Sequence, residues 1–175
     1  MSQTPRILIF TGDGKGKTTA ALGIAFRASG HGLRTCMIQF IKSDASVGEV
    51  LAAADRGTIE IHPMGLGFLP EDDHPDFARH RAAAQAALRK AEEAVAGRHF
   101  AVVILDEICL AVARALVDHR QVADLLAQAP PEMCLVLTGR DASPDLIALA
   151  DTVTEMRSVK HGLQAGRTAQ EGVER

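Results

Sequence analysis

A glycine-rich loop between an apolar run and a helical period constrains the fold of this chain more than any other feature. The run RILIFT, residues 6–11, predicts a strand, and KTTAALGIAFRASG predicts a helix that ends at Gly30. The loop GDGKG between them lets the backbone approach an anion and directs N–H groups toward it at the positive end of a helix. A strand, a glycine loop and a helix in this order predict a phosphate-binding loop.

Short apolar runs alternate with helical periods along the rest of the chain. The runs predict five more strands, over residues 34–40, 60–64 (with Thr58 and Ile59 before them), 101–107, 133–139 and 150–159. The helical periods between them cover residues 48–57, 74–97, 110–128 (one or two helices) and 143–150. This alternation predicts an α/β fold of the RecA-like P-loop NTPase class, with a mainly parallel sheet of about six strands flanked by helices.

Proline, glycine and serine give the predicted boundaries of these helices. Pro75 suits the first position of the longest helix, and Gly97 lies just past its predicted end. Gly57 closes the short helix before it, and Ser143 is the expected N-cap of the last one. One face of the longest helix is predicted to be buried, with Phe77, Ala84, Leu88, Ala91 and Val95 at helical spacing.

The length favours a single domain over residues 1–175, with a polar tail at 164–175 that is expected to be loose. The N-terminus is too short and too polar before the first strand for a secretory signal, so a cytoplasmic location is expected. Apolar runs stay shorter than the roughly 18 to 20 residues that span a bilayer, so no membrane partner is expected. The net charge of −3 without a basic block argues against a nucleic-acid partner. The three cysteines form no Cys-x-x-Cys pair and are predicted to be free thiols, mostly buried.

The phosphate loop supplies the first candidate site residues. Lys17 would contact the β- and γ-phosphate oxygens of a nucleoside triphosphate, and the Thr18 hydroxyl would bind Mg²⁺. Thr11 stands where the full pattern asks for glycine, which leaves an incidental glycine-rich turn as the alternative. The predicted contacts of the nucleotide are Gly12, Asp13, Gly14, Lys15, Gly16, Lys17, Thr18 and Thr19.

Polar residues at the ends of two other strands supply the remaining candidates. Asp106 and Glu107 follow a buried run and would place a carboxylate beside Mg²⁺. They point to opposite sides if the strand continues, so only one is expected to face the metal. Thr138 and Arg140 follow the next strand and could contact phosphate or substrate, or stabilise the loop instead.

Two histidine-containing segments carry weaker signals. Asp76 and His80 are four residues apart, which is compatible with a metal site, but a solvated helix start is the favoured interpretation because no further ligands cluster there. His31 is expected to serve a turn rather than catalysis.

Nine segments occur in the same order as in the P-loop ATP:corrinoid adenosyltransferases, and the chain resembles this family over nearly its whole length. The segments are TGDGKGKTTAALG, RASGHG, IQFIKS, GEV, HPMGLGF, LDEI, LTGR, ADTVTEM and KHGLQAGRTAQEGVE. This family also has the TG.GKGKTT form of the loop, with threonine at the position of Thr11. The resemblance implies a homodimer that moves the adenosyl group of ATP to cobalt(I) of a reduced corrinoid and releases triphosphate. Biosynthesis and salvage of adenosylcobalamin both remain open, and a reductase or flavodoxin-type protein would supply the electron.

The resemblance also implies roles for individual residues. Thr18 and Glu107 are the first choices for Mg²⁺ (or Mn²⁺), with Asp106 in support. Arg27 joins the nucleotide contacts, together with Arg140. Lys17 and Phe68 are the catalytic candidates, since the family presses aromatic side chains near the lower face of the corrinoid; ordinary core packing is the alternative for Phe68.

Two departures from the family concern the corrinoid. The family usually continues GFTW where this chain reads GFLP, so Pro70 replaces a tryptophan and the aromatic wall is expected to be thinner. About five residues precede the first strand, whereas many members carry an N-terminal extension over the corrinoid, so the site is expected to be more open or to be capped by another element.

Two other functions are compatible with the motifs taken alone. A P-loop ATPase or kinase needs only the phosphate loop and the LDE segment, although no water-orienting residue is evident. A non-catalytic nucleotide- or corrinoid-binding module would fit the missing tryptophan and extension. Product identification separates these functions from adenosyl transfer.

Overall fold

Six parallel strands form the centre of the molecule in a computed structural model that describes residues 4–160, 162 and 166–173. The strand order across the sheet is β3-β2-β4-β5-β1-β6. The strands are β1 (Arg6–Thr11), β2 (Thr35–Gln39), β3 (Ile59–Pro63), β4 (Val102–Asp106), β5 (Cys134–Thr138) and β6 (Thr152–Glu155). The predicted parallel α/β sheet of about six strands is therefore confirmed.

The central strands are buried on both faces, which explains their continuous apolar sequence. All five residues of β4 and of β2 are buried, and in β5 only Cys134 is partly exposed. Packing helices on both faces of a parallel sheet removes its alternating pattern, because no face meets water. The edge strand β6 is exposed throughout and shorter than predicted: the prediction of residues 150–159 was wrong at both ends.

Six helices flank the sheet in the described part of the chain. They are α1 (Lys17–Ser29), α2 (Gly48–Ala54), α3 (Phe77–Gly97), α4 (Ile108–Ala113), α5 (His119–Gln128) and α6 (Pro144–Ala148). The predicted Ser143 cap is confirmed, since its hydroxyl accepts a hydrogen bond from Leu146 N. The predicted buried face of α3 is confirmed as well.

Three predicted helix boundaries were wrong. Helix α3 begins at Phe77, because Pro75 lies in a turn two residues earlier, and it includes Gly97. Arg98, with φ 52°, takes the left-handed position after the helix that a glycine was expected to fill. Helix α2 ends at Ala54, and Gly57 lies beyond it in the following turn.

The register of the sheet brings the polar strand ends together. Gln39 of β2 pairs with Asp106 of β4, and Phe10 of β1 pairs with Thr138 of β5. Because all strands run the same way, the loops that follow them meet at one carboxyl edge. Strand β5 lies between β1 and β4, so Thr138 sits between the phosphate loop and Asp106.

The cysteines agree with the expectation of free, mostly buried thiols. All three cysteines are free; Cys36 and Cys109 are buried and Cys134 is half-buried, and burial raises the pKa of the Cys36 and Cys109 thiols to about 12. Within the described residues, no helix combines the length and apolar character needed to cross a bilayer.

Leu88 of α3 tests the packing of the core. It is 1% exposed in the main hydrophobic cluster, so Leu88→Ala is expected to lower the free energy of unfolding by about 2–5 kcal/mol. Leu51 is the matched control, because its side chain is 59% exposed. Leu51→Ala is expected to change the free energy of unfolding by less than about 0.5 kcal/mol. Urea denaturation measures both values, and equal losses in the two variants would contradict this packing.

Candidate functional site

The phosphate loop wraps around the side chain of Lys17, the first residue of α1. Lys17 is 7% exposed, and its Nζ donates hydrogen bonds of 2.8 Å to the carbonyl oxygens of Gly12 and Gly14. Burial lowers the pKa of Lys17, while Glu107 raises it. An anion in the loop would offset the cost of burying this ammonium group, because it would supply a partner of opposite charge.

The segment after β6 closes on the other side of the phosphate loop. Met156 N donates to the Thr11 carbonyl at 2.8 Å, and Gly14 N donates to the Met156 carbonyl at 2.7 Å. Gly12, with φ 96°, and Gly14 both approach Met156 so closely that a Cβ atom would collide with its backbone. Thr11 is simply the last residue of β1, which explains why glycine is not required there.

Asp106 lies fully buried at the end of β4 and accepts hydrogen bonds from three elements. Its Oδ1 accepts from the Thr18 hydroxyl at 2.8 Å and from the Thr138 hydroxyl at 2.7 Å. Its Oδ2 accepts from Gln39 Nε2 at 3.2 Å. Thr138 therefore orients a carboxylate and is itself fully buried, which favours the stabilising interpretation over contact with phosphate.

Glu107 takes a different position from the one a continuing strand would give it. Strand β4 ends at Asp106, and Glu107 has φ 65° as the N-cap of α4. Its backbone N–H donates to Thr138 Oγ1 at 2.9 Å. Burial and then the charge of Asp106 raise the pKa of Glu107. The family resemblance put Glu107 ahead of Asp106 as the metal carboxylate, whereas it is Asp106 that accepts the hydrogen bond from Thr18.

A cavity of about 610 Å³ opens beside the phosphate loop. It collects six of the predicted site residues with others that the sequence prediction did not assign to the site. The lining residues are Lys15, Gly16, Lys17, Thr18, Thr19, Leu22, Lys42, Gly48, Glu49, Glu107, Gly172 and Val173. Lysine and glutamate side chains line the cavity together with the start of α1. A phosphate-bearing ligand with a bound cation would need both positive and negative groups of this kind.

The end of the chain reaches this cavity. Lys15 Nζ donates to the Val173 carbonyl at 3.0 Å, and Ser158 N donates to Asp13 Oδ1 at 3.1 Å. Part of the tail that was expected to be loose thus contacts the phosphate loop. Residues 164, 165, 174 and 175 of that tail lie outside the described residues.

The two predicted arginines lie in different places. The charge of Arg140 lowers the pKa of Lys17 and of Glu107, so this exposed side chain lies near the loop. Arg27 is exposed in the last turn of α1, ten residues after Lys17, which corresponds to about 15 Å along the helix. A contact of Arg27 with the nucleotide stays a prediction, because Arg27 and the phosphate loop lie at opposite ends of α1.

Phe68 projects into solvent from the loop after β3. Its side chain is fully exposed, so ordinary core packing is wrong as an explanation of this residue. Gly67 N beside it donates to the Ile41 carbonyl at 2.8 Å, and Gly65 N donates to the Lys42 carbonyl at 2.9 Å. The loop is thus tied to the segment after β2 while its aromatic side chain has no packing partner in the core.

The weaker histidine signals correspond to structural roles. Asp76 Oδ1 accepts from Arg79 Nη1 at 3.0 Å before α3, and no group of three or more His, Cys, Asp or Glu side chains forms a metal cluster in the described residues. His31 N donates to the Ala28 carbonyl at 2.9 Å in the turn after α1.

Sequence reasoning missed several residues of the site. Gln39 and Lys42 lie in the segment IQFIKS, where a polar residue at the end of a buried strand was the available signal. Met156 and Val173 act through backbone carbonyls, which carry no signal in the sequence.

The sequence profile of one family matches residues 3–175 of this chain; its description is ATP:corrinoid adenosyltransferase BtuR/CobO/CobP. This chain belongs to that family. Among its relatives, the corrinoid adenosyltransferase of Pseudomonas aeruginosa is 41% identical over 170 residues, which cover 96% of this chain and 82% of the relative. The corrinoid adenosyltransferase of Escherichia coli K12 is 37% identical over 168 residues, with 96% and 84% covered.

A solved structure supports the fold independently of the family. The KaiC-like protein of Pyrococcus horikoshii superposes with a TM-score of 0.53 over 89% of this chain and 73% of that chain. At 18% identity, this likeness shows a common RecA-like fold and nothing about activity. The family assignment therefore rests on sequence, and the fold assignment on both.

Gly14 tests the close approach of Met156 to the phosphate loop. A Cβ at residue 14 would lie 2.7 Å from the Met156 carbonyl oxygen, so Gly14→Ala is expected to lower the free energy of unfolding by about 1–3 kcal/mol. Gly23 is the matched control: nothing lies within 4 Å of its Cβ position inside α1, so Gly23→Ala is expected to raise stability by about 0.5–1 kcal/mol. Thermal unfolding measures both variants, and a stabilised Gly14→Ala chain would overturn the described contact.

Proposed function

We propose that this chain transfers the 5′-deoxyadenosyl group of ATP to cobalt(I) of a corrinoid and releases intact triphosphate. The observation that carries the proposal is the phosphate loop of a family member, in which Lys17 and Thr18 line one cavity and the Thr18 hydroxyl donates to the buried Asp106 behind it. In this reaction, cobalt(I) supplies the electron pair of the new cobalt–carbon bond and becomes cobalt(III). The electron pair of the C5′–oxygen bond leaves with the triphosphate.

The phosphate loop suits a highly charged leaving group. Backbone N–H groups of the phosphate loop (apart from Gly14 N, which donates to Met156), the start of α1 and the Lys17 ammonium group would stabilise negative charge as it develops on the triphosphate. The nucleophile is the corrinoid cobalt, so no water needs activation and no general base is required. This explains why the buried polar groups converge on a phosphate cradle rather than on a reactive side chain.

A divalent cation fits the oxygen donors at the end of β4. The Thr18 hydroxyl and the Asp106 carboxylate lie 2.8 Å apart, and Glu107 reaches the same cavity. Thr18 and Asp106 would hold Mg²⁺ or Mn²⁺, with Glu107 as a further oxygen donor. Bound there, the cation supplies positive charge to the leaving triphosphate.

The exposed Phe68 would contact the second substrate. Phe68 is a large aromatic side chain exposed to water, and packing it against a flat apolar surface is favourable. A corrinoid ring provides such a surface. Contact with the lower face would displace the lower cobalt ligand and make reduction to cobalt(I) easier. A reductase or flavodoxin-type donor, a homodimer and a cytoplasmic location complete the proposal.

The adenosyl-transfer assay tests the proposed function directly. The purified protein is mixed with ATP, Mg²⁺ and chemically reduced cobalamin, and the visible spectrum follows the cobalt–carbon bond. The proposal expects the spectrum of an adenosylated corrinoid to appear. Unchanged cobalamin in the presence of bound ATP would refute it and would favour a non-catalytic binding module.

Lys17 tests the role of the phosphate loop. Lys17→Met removes the cation from the cradle, so the rate of adenosyl transfer is expected to fall by about 100- to 1,000-fold. Lys90→Met is the matched control, since Lys90 pairs with Glu93 on the surface of α3 and is expected to leave the rate unchanged. A Lys17→Met rate within threefold of the wild type would exclude a contribution of the ammonium group to this step.

Phe68 tests the corrinoid site separately from the nucleotide site. Phe68→Ala is expected to raise the KM for the corrinoid and to leave both the ATP affinity and the free energy of unfolding unchanged, because the side chain is fully exposed. Phe26→Ala is the control, since Phe26 is 60% exposed at the far end of α1. Steady-state kinetics with both substrates varied give the readout, and an unchanged corrinoid KM would rule out this contact.

A further inference from the structure

Lys42 carries a positive charge into the cavity from the segment after β2. Its Nζ lies 3.3 Å from Glu49 Oε1 and 3.5 Å from Asp106 Oδ2. The side chain is 37% exposed and lines the same cavity as the phosphate loop. Lys42 therefore stands between the fully buried Asp106 carboxylate, the partly buried Glu49 carboxylate and the space that the proposed triphosphate would fill.

The buried Asp106 carboxylate needs this positive charge. Hydrogen bonds from Thr18, Thr138 and Gln39 satisfy its oxygens but are made by uncharged groups. Within the part of the chain that the structure describes, Lys42 is the one cation within 4.0 Å of Asp106. A buried charge is costly unless an opposite charge compensates it, so Lys42 stabilises the carboxylate in the nucleotide-free chain.

A divalent cation on Asp106 would change the partners of Lys42. The metal would then neutralise the carboxylate and would repel the ammonium group beside it. Glu49 would keep the Lys42 side chain at the cavity, where the nearest new anion is the triphosphate. A half-exposed lysine on a flexible stem can make this movement without a change in the backbone.

We propose that Lys42 is a further substrate-contacting residue, which neutralises Asp106 in the nucleotide-free chain and contacts triphosphate oxygens in the loaded site. This inference rests on the proposed function and adds a phosphate contact that comes from the segment after β2 rather than from the phosphate loop. Glu49 competes with the triphosphate for the Lys42 ammonium group and pairs with it when no triphosphate is bound.

The backbone of Lys42 has a separate role that a side-chain substitution leaves intact. Its carbonyl oxygen accepts the hydrogen bond from Gly65 N that helps to hold the Phe68 loop. Variants that change only the side chain therefore probe the phosphate contact without removing this main-chain link.

Calorimetric titration with inorganic tripolyphosphate and Mg²⁺, without corrinoid, tests the contact. Lys42→Met keeps the length of the side chain and removes its charge, so tripolyphosphate affinity is expected to fall by about 10- to 100-fold. Lys42→Arg is expected to restore most of the affinity, and Lys90→Met is the control on α3. An affinity of Lys42→Met within threefold of the wild type would overturn the proposal.

A double-mutant cycle separates competition by Glu49 from simple charge repulsion. Glu49→Gln is expected to raise tripolyphosphate affinity by about threefold in the wild-type chain and to have no effect in the Lys42→Met chain. Equal gains in both backgrounds would mean that Glu49 acts on the anion directly and would contradict its role as a competing partner of Lys42.

Amine labelling of the wild-type chain covers the case in which Lys42→Met does not fold. Mass spectrometry is expected to show that tripolyphosphate with Mg²⁺ slows acetylation of Lys42 but not of Lys90; an unchanged Lys42 rate would overturn the proposal. These binding readouts are independent of the reaction. Loss of affinity in Lys42→Met, combined with no adenosyl transfer by the wild type, would reject the proposed function and keep Lys42 as a phosphate contact.

Discussion

The hydrogen bonds onto the buried Asp106 carboxylate hold together the elements that form the site. Gln39 links it to β2, Thr138 to β5 and Thr18 to the start of α1, directly after the phosphate loop. A fully buried charge tolerates few alternative arrangements, because each lost hydrogen bond would leave a costly unpaired group. The carboxyl edge of the sheet is therefore organised around one residue before any ligand binds.

The two proposed substrates meet surfaces of different character. The nucleotide side is built from the loop glycines, the enclosed Lys17 and the backbone carbonyl of Met156, which short hydrogen bonds hold in place. The corrinoid side presents the exposed Phe68 on a surface loop that backbone hydrogen bonds tie to residues 41 and 42 and that Arg114 holds at the Pro70 carbonyl. An enclosed cradle for the leaving group and an exposed aromatic surface for a large flat ring are consistent with adenosyl transfer.

The sequence predicted the parts of this structure that depend on local patterns. Continuous apolar runs identified β1, β4 and β5, and the loop order identified the environment of Lys17. Tertiary contacts decided the rest. The exposed edge strand β6 is shorter than its pattern predicts, and β4 ends at Asp106, which contacts Thr18, while Glu107 takes a left-handed conformation after it. Backbone contacts such as the one from Lys15 to Val173 leave no trace in residue types.

The identity of the phosphate product tests the central claim most directly. Phosphorus NMR of a reaction with ATP, Mg²⁺ and reduced corrinoid shows which bond of the nucleotide breaks. The account predicts intact tripolyphosphate in a 1:1 ratio with the adenosylated corrinoid, because the phosphate loop holds the leaving group and the cobalt attacks C5′. ADP and inorganic phosphate, formed whether or not corrinoid is present, would contradict it and would show that the loop serves hydrolysis.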